Sequence, residues 1–222
     1  MGGYLKMNAI EIIKILEKAL RETLIMVSIS TLFAIAIGIC FSIILIVTDK
    51  DGARPNKLIY GVLDGIINIL RSFPFIILMV VVVPLTKLIV GKSIGTTAAI
   101  VPLTIAAAPF VARVIESALK SVDRGVIEAA KSLGASNVQI IFKVMIPEAL
   151  PEIISGITLT VISIIGYSAM AGSIGGGGLG AVAITYGYNR FNTKFMICTV
   201  FVLIIVVQLI QWLGNYIYKK VS

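Results

Sequence analysis

The chain has 222 residues, of which 58% are hydrophobic and 14% are charged, and its mean hydropathy is +1.04. Such an apolar composition excludes an ordinary soluble domain and predicts an integral membrane protein. A net charge of +8 would suggest nucleic-acid binding in a soluble protein. Here the basic residues cluster in short segments between apolar runs, where lipid headgroups attract them, so we expect membrane lipid and no nucleic acid as a partner.

Side chains for metal binding or acid–base catalysis are scarce. The chain contains no histidine, and its two cysteines, Cys40 and Cys198, lie inside apolar runs without the spacing of metal ligands. A disulfide framework, a zinc site and histidine-based catalysis therefore lack their residues. We expect no metal site, no catalytic residue and no enzymatic activity.

The first apolar run, residues 24–47, contains no charged residue and predicts a membrane span. As a helix it would be about 36 Å long, enough to cross a hydrocarbon core of about 30 Å. Ahead of it, residues 1–23 intersperse apolar side chains such as Ile10 with charged ones such as Glu11. This pattern predicts an amphipathic helix in the membrane interface, and a helical extension of the first span fits the pattern equally well.

The second span is predicted at residues 66–86, although only the 15 residues from Ser72 to Thr86 are free of charge. A helix of that length covers only about 23 Å, so part of the preceding run should form a helix at the cytoplasmic surface. Pro74 is predicted to mark the junction, because proline removes a backbone donor and disfavours helix at the residue before it. The third span is predicted at residues 93–112.

The fourth and fifth spans are predicted at residues 153–174 and 195–218. The cluster GGGGLG follows the fourth, and Trp212 and Tyr216 lie near one end of the fifth, where amphipathic rings favour the headgroup level. Five spans place the two termini on opposite sides of the membrane. Positive charges are divided almost evenly between the two sides, so charge alone does not set the orientation.

No ionisable residue lies near the middle of a predicted span. Those closest to the spans lie near predicted ends: Asp64, Arg71, Arg113 and Glu116. Ion-coupled transporters place a carboxylate or a similar group near mid-membrane, where it holds the ion or proton. The pattern therefore argues against transport driven by an ion gradient.

Hydroxyl side chains are frequent in the predicted spans, where they usually serve helix packing. The stretch GYSAMAG, just before the glycine cluster, combines bulky and small side chains. A bulky side chain beside small ones can act as a gate. Tyr167, Ser168 and Met170 are therefore the predicted residues of a translocation path or gate.

A polar stretch, EAAKSLGASNVQIIFKVMIPEALP, occupies residues 128–151 between two apolar spans. Strong helix formers begin it, Gly134 can adopt the left-handed conformation that ends a helix, and Ser136 is a suitable N-cap for a second, short helix. Val138, Ile141 and Phe142 would share one face of that helix, to be buried on the rest of the chain or in a partner's groove. Pro147 and Pro151 are expected to end it.

The same stretch resembles a known signature. Glu128-Ala129-Ala130, three residues, Gly134, nine residues and then Val144 to Pro147 resemble the EAA motif of the membrane subunits of bacterial ABC importers, with Val144 and Ile146 as aliphatic replacements. The stretches RSFPFIILMVVVVPLTKLIVGKSIG, GYSAMAG, GGGGLG and YGY are similar to those of methionine uptake permeases. This resemblance covers about residues 18–212.

The resemblance implies an all-α type I ABC importer permease fold with five spans per subunit, in the bacterial cytoplasmic (inner) membrane. It implies a homodimer, two copies of a cytoplasmic ABC ATPase subunit, and a substrate-binding lipoprotein or periplasmic protein. The N-terminus would be external and the C-terminus cytoplasmic. ATP and Mg would be used by the ATPase, with no cofactor bound by this chain, and methionine would cross by alternating access.

In that family the EAA loop couples the membrane subunit to the ATPase. The resemblance assigns a cytoplasmic coupling segment to about residues 113–152. The coupling residues it implies are Glu128, Ala129, Ala130, Gly134, Val138, Ile141, Phe142, Ile146 and Pro147. Three alternatives stay open: an importer of another amino acid or short peptide, a channel or self-powered carrier, and an intramembrane enzyme.

Overall fold

The computed structural model describes residues 9–222, and within them every regular element is a helix. The α-helices are α1 Ala9–Thr48, α2 Lys57–Ser72, α3 Phe75–Val81, α4 Val83–Val90, α5 Thr96–Lys120, α6 Arg124–Ser132, α7 Asn137–Ile140, α8 Ile146–Ser173, α9 Gly178–Val182 and α10 Thr193–Val221. Two π-helical segments, Ile141–Met145 and Ala183–Tyr188, follow α7 and α9. The predicted all-α fold is confirmed.

Helix α1 joins the amphipathic segment to the first span without a break. No glycine or proline occurs between Ala9 and Ile37, so nothing in the sequence interrupts the backbone hydrogen bonds. Residues 9–23 thus continue as helix into the span, in agreement with the alternative of a helical extension. Residues 1–8 of the predicted segment lie outside the described residues. The interfacial position of the amphipathic segment stays a prediction.

The second predicted span, residues 66–86, is not one helix. Pro74 has extended dihedral angles of −60° and 129° between α2 and α3, which confirms the predicted junction. A second break lies at Val82, with angles of −88° and 4°, and Pro84 follows in the first turn of α4. Proline is tolerated there because the first helical turn needs no intrahelical donor.

The helix that contains the fourth predicted span, residues 153–174, begins well before it, and neither Pro147 nor Pro151 ends the short helix. Helical structure runs from Asn137 to Ser173 through the π-helical segment. There the Ile146 N–H donates to the Ile141 carbonyl, five residues back. The wider turn shifts the hydrogen-bond register by one residue just before Pro147, which has no N–H to donate. The expectation of a helix end at Pro147 and Pro151 was therefore wrong, since both prolines lie within α8.

Helix α5 continues eight residues beyond the predicted end of the third span, residues 93–112, to Lys120. The extension contains Glu116, which forms ion pairs with both Arg113 and Lys120 of the same helix. Because their charges are neutralised within the fold, the helix continues through them. The fifth predicted span, residues 195–218, lies within α10.

Four helical segments within residues 9–222 are long and apolar enough to cross a membrane, and counting the broken pair α2 and α3 as one span gives five. The four are Ile10–Thr48, Thr96–Lys120, Asn137–Ser173 and Thr193–Val221. A multi-pass membrane protein follows from these lengths. Five spans require the broken pair to cross.

The chain divides into two compact units. Among the described residues, the first consists of residues 9–32, 73–107 and 161–210. One of its apolar clusters is formed by Ala19, Leu179, Val182 and Phe195. The second unit consists of residues 33–72, 108–160 and 211–222. One of its apolar clusters is formed by Leu45, Ile67 and Ala112.

Candidate functional site

Helix α6 presents the EAA residues and has defined ends. Asp123 caps its beginning, where the carboxylate accepts hydrogen bonds from the N–H groups of Gly125 at 2.7 Å and Val126 at 3.3 Å. After its last turn, Gly134 has a φ of +79°, in the left-handed region, as predicted. The Gly134 N–H donates to the Lys131 carbonyl at 2.9 Å, which closes the helix end.

Helix α7 begins with a reciprocal cap at Ser136, which confirms that predicted N-cap. The Ser136 hydroxyl accepts from the Gln139 N–H at 3.3 Å, and the Gln139 side chain accepts from the Ser136 N–H at 2.8 Å. This capping box satisfies two backbone donors that a helix start leaves without partners. Local hydrogen bonds thus define the ends of two short helices separated by a glycine turn.

Most of the predicted coupling residues are exposed. Val138 is 66% and Phe142 53% exposed, and they lie four residues apart. Also exposed are Glu128, Ala129, Gly134 and Pro147, while Ala130 and Ile146 are half-buried. Together with Leu133, which is 88% exposed, they form a mostly apolar surface on one short stretch of chain, in which the charged residues are Glu128 and Lys131. We call residues 128–142 with Ile146 and Pro147 the coupling surface.

Ile141 departs from the predicted arrangement. Its side chain is only 6% exposed, and Ile140 beside it is 4% exposed. The predicted shared face of Val138, Ile141 and Phe142 is therefore divided: the first and last are exposed, and Ile141 faces the second unit's own interior. The α-helical spacing used for the prediction fails here because the π-helical segment begins at Ile141.

A partly open pocket of about 340 Å³ lies in the second unit beside this buried face. Ile141 and Met145 line its apolar part, and Asp49, Lys50 and Lys131 are among its charged lining residues. The buried residues of the coupling surface therefore border a pocket of mixed polarity.

A buried carboxylate stands near the C-terminal end of α5. Glu116 is 1% exposed. It accepts a hydrogen bond from the Tyr60 hydroxyl at 3.0 Å and forms ion pairs with Arg113 at 2.7 Å and Lys120 at 2.9 Å. Arg113 also pairs with Asp64, so the network ties α5 to α2 within the second unit.

The network extends to the loop after α1 through Asp49, which pairs with Lys120 at 2.7 Å. Burial raises the pKa of the Asp49 carboxyl, but hydrogen bonds from the Lys120 ammonium and the Asp51 N–H outweigh it, so the pKa lies below its ordinary value. A lowered pKa contributes stability that is fully present above about pH 4 and is lost as the pH falls through the lowered value.

Sequence reasoning missed this network. Arg113, Glu116 and Lys120 follow each other at spacings of three and four residues, which places them on one face of a helix. That spacing was the available signal. Tyr60 and Asp49, however, are 56 and 71 positions away from their partners Glu116 and Lys120, so their contacts follow only from the tertiary fold.

The predicted path residues occupy the last turns of α8, in the first unit. The Tyr167 ring stacks on Phe75, with ring centroids 4.9 Å apart and an interplanar angle of 13°. Ser168 is buried and its hydroxyl donates to the Ile165 carbonyl of its own helix at 2.7 Å. Met170 is 45% exposed. The path residues and the coupling surface thus belong to different units, and helix α8 is common to both.

The sequence of residues 38–222 matches the family described as binding-protein-dependent transport system inner membrane components. The chain belongs to this family. Among residues 9–222 of the transport component, no group of three or more His, Cys, Asp or Glu side chains could hold a metal ion. The helices that are long enough to cross a membrane and the match to this inner membrane family together show a multi-pass inner membrane protein.

Two curated relatives align with most of this transport component. A Vibrio cholerae protein described as a probable D-methionine transport system permease, MetI, is 52% identical over 201 residues, which cover 90% of this chain and 89% of that protein. The methionine import system permease MetP of Bacillus subtilis is 49% identical over 175 residues, which cover 78% of each chain. Both are permease proteins, and neither is described as an ATPase.

The solved structures include a chain of the MetNI methionine ABC transporter, described as inward-facing. It superposes with a TM-score of 0.94 at 43% identity and covers 97% of this chain and 100% of that one. The predicted resemblance to the membrane subunits of ABC importers, and their type I fold, is confirmed. The transport component is accordingly a permease subunit and not an enzyme.

Proposed function

We propose that this chain is the membrane permease subunit of an ATP-driven importer that translocates methionine across the cytoplasmic membrane by alternating access. The observation that carries the proposal is the 52% identity, over 90% of the chain, with a D-methionine transport permease. The superposition on the MetNI methionine transporter supports it. The cargo rests on these likenesses, because the EAA motif concerns coupling and is independent of the substrate.

The active assembly would contain two copies of this chain and two copies of a cytoplasmic ATPase subunit. ATP and Mg would be bound by the ATPase, and this chain would bind no cofactor. The family description itself names a binding protein, which supports delivery of methionine by a substrate-binding lipoprotein or periplasmic protein. The N-terminus would lie outside and the C-terminus in the cytoplasm.

The coupling surface is proposed to dock into a groove of the ATPase. Val138 and Phe142 would supply apolar contacts, since large exposed side chains outside the membrane favour burial against a partner. Glu128 would add a charged contact at the rim of the interface. Ile141 would not contact the ATPase itself. Its buried side chain would hold the short helix against the rest of the chain.

The docked surface and the path are proposed to communicate through one helical stretch of the chain. Helical structure is continuous for 37 residues from Asn137 to Ser173. The coupling surface lies at its beginning, while Tyr167, Ser168 and Met170 lie near its end. ATP binding would favour one of two states of the ATPase dimer, and this difference in affinity would shift the permease between its inward and outward openings.

Reconstitution tests the proposal directly. The chain, its ATPase subunit and its binding protein are placed in liposomes, and uptake of labelled L- and D-methionine is measured with ATP and with a non-hydrolysable ATP analogue. We expect uptake only with ATP, and excess unlabelled methionine should compete while other amino acids should not. Strong ATP-driven uptake of a different amino acid would replace the proposed cargo.

Two controls address the mechanism. The chain alone, under an ion gradient, should transport nothing, whereas uptake there would favour a channel or self-powered carrier. Glu128→Lys should abolish ATP-driven uptake and association with the ATPase. Glu148→Lys, the same charge change at another exposed position of the stretch, should retain both, so that a loss in both variants would argue against specific docking at Glu128.

A further inference from the structure

Two side chains of α1 hold the beginning of α9, which follows the glycine cluster. The Glu22 carboxylate accepts a hydrogen bond from the Gly178 N–H at 2.8 Å, and the Thr23 hydroxyl accepts one from the Leu179 N–H at 2.9 Å. Each contact joins residues 156 positions apart within the first unit. Two backbone donors that a helix start leaves without partners are satisfied in this way, and a carboxylate is favoured there electrostatically.

The glycine cluster makes room for this contact. Gly177 and Gly178 have φ values of +82° and +74°, in the left-handed region. A Cβ on Gly178 would lie 2.6 Å from the Thr23 hydroxyl oxygen and 2.8 Å from the methyl carbon of Met26. Thr23 is 1% exposed and Leu179 is fully buried, so neither side of the contact can move aside without disturbing packing.

The other face of α9 presses on the turn of α8 that carries Met170. A Cβ on Gly180 would clash with the Ala169 backbone, and a Cβ on Gly172 would clash with the backbone of Gly180 and Ala181. Backbone therefore meets backbone on both sides of Met170. The two segments therefore pack backbone to backbone, with no flexible side chain between them to absorb a displacement of α9.

We propose that Glu22 and Thr23 are positioning residues for the gate: by holding the start of α9, they fix the Met170 turn of α8 against α1. The inference rests on the proposed function, in which Tyr167, Ser168 and Met170 line or gate the path. Loss of the Glu22 carboxylate would leave a buried backbone N–H without an acceptor and free α9 to move with its attached turn. ATP would then still be hydrolysed, but the gate would no longer close in step with it.

The test compares ATP hydrolysis with methionine uptake in the same proteoliposomes of the complete complex. For Glu22→Ala we expect normal amounts of assembled complex and ATP hydrolysis within about twofold of wild type. The number of methionine molecules taken up per ATP should fall by about tenfold, the change in an equilibrium that the loss of one charge-assisted hydrogen bond produces. Glu22→Gln keeps an oxygen acceptor and should restore most of the uptake. Glu17→Ala, an exposed acid on the same helix, should match wild type.

Thr23→Val gives a second route, because it removes only the hydroxyl acceptor, and it should lower uptake per ATP in the same direction. A wild-type ratio in an assembled Glu22→Ala complex would overturn the proposal. So would a proportional loss of hydrolysis and uptake, or failure of both the Glu22→Ala and Thr23→Val complexes to assemble, since either would assign the pair a purely structural role. Absence of ATP-driven uptake in the wild-type complex would instead contradict the proposed function.

Discussion

Among single residues, Glu116 has one property that the sequence reveals, its position at the end of a span, and one that only the fold reveals, its burial. Its position near the end of a predicted span was evident from the run of apolar residues around it. Its burial to 1% exposure was not, because the Tyr60 hydroxyl comes from a helix 56 positions earlier. Glu22 is a similar case: it lies just before the first charge-free run, and only the fold brings Gly178 to it.

Replacing Glu116 should destabilise the second unit. Glu116→Ala would remove the counter-charge that Arg113 and Lys120 share, but both cations are partly exposed and each keeps a second carboxylate, so we expect a loss of about 1–3 kcal/mol. Glu116→Gln keeps an acceptor for the Tyr60 hydroxyl and should cost less. The apparent melting temperature of the purified chain in detergent measures both.

Glu148→Ala provides the matched control, because this carboxylate is exposed on α8. Its effect should stay within about 0.5 kcal/mol, the usual range for exposed positions. If Glu116→Ala melted at the wild-type temperature, the buried network would contribute nothing to stability. Neutralisation of the charges would then not explain why α5 continues to Lys120.

At the scale of elements, prediction succeeded where the cause was local. The N-cap at Ser136 and the left-handed Gly134 are decided by neighbours within a few residues, as is the break at Pro74. It failed where the backbone adopted a less common form. With the π-helical turn, the helix continues through Pro147, and Ile141 no longer shares a face with Val138 and Phe142. No residue type in the sequence requires such a turn.

Gly134 offers a test of the turn between α6 and α7. Gly134→Val places a β-branched residue at a φ of +79°, which costs about 1–2 kcal/mol. Nothing lies within 4 Å of a Cβ built there, so the strain is confined to the backbone. We expect the variant to insert in the membrane but to lose co-purification with the ATPase subunit and ATP-driven uptake.

Gly134→Asn is the control for this change, because asparagine adds a side chain of similar size yet tolerates the left-handed conformation. It should keep both ATPase association and uptake. Equal activity of the valine and asparagine variants would show that the geometry of the turn does not matter for docking, and equal loss in both would point to the added side chain rather than to the backbone.

At the scale of the whole molecule, hydropathy located the long spans because the hydrocarbon core requires about 20 consecutive apolar residues. It could not decide the number of crossings. The described residues contain four sufficient segments, and the pair α2 and α3, which is interrupted at Pro74, determines whether there is a fifth. Five crossings put the termini on opposite sides and four put them on the same side.

Cysteine labelling settles the crossing of this pair. In a chain with Cys40 and Cys198 replaced by alanine, single cysteines are placed at Lys50, before α2, and at Lys92, after α4; both positions are exposed. A membrane-impermeant maleimide added to intact spheroplasts should label Lys92→Cys, while Lys50→Cys should react only after permeabilisation. The reason is that a crossing pair must place the two loops on opposite sides.

A cysteine at Ser222, at the end of α10, extends the test to the C-terminus and should also require permeabilisation. Labelling of the Lys50 and Lys92 positions from the same side would mean that α2, α3 and α4 form a re-entrant segment, and the count of spans would fall to four. That outcome would also contradict the proposed orientation of the termini, because an even number of crossings cannot place one outside and the other in the cytoplasm.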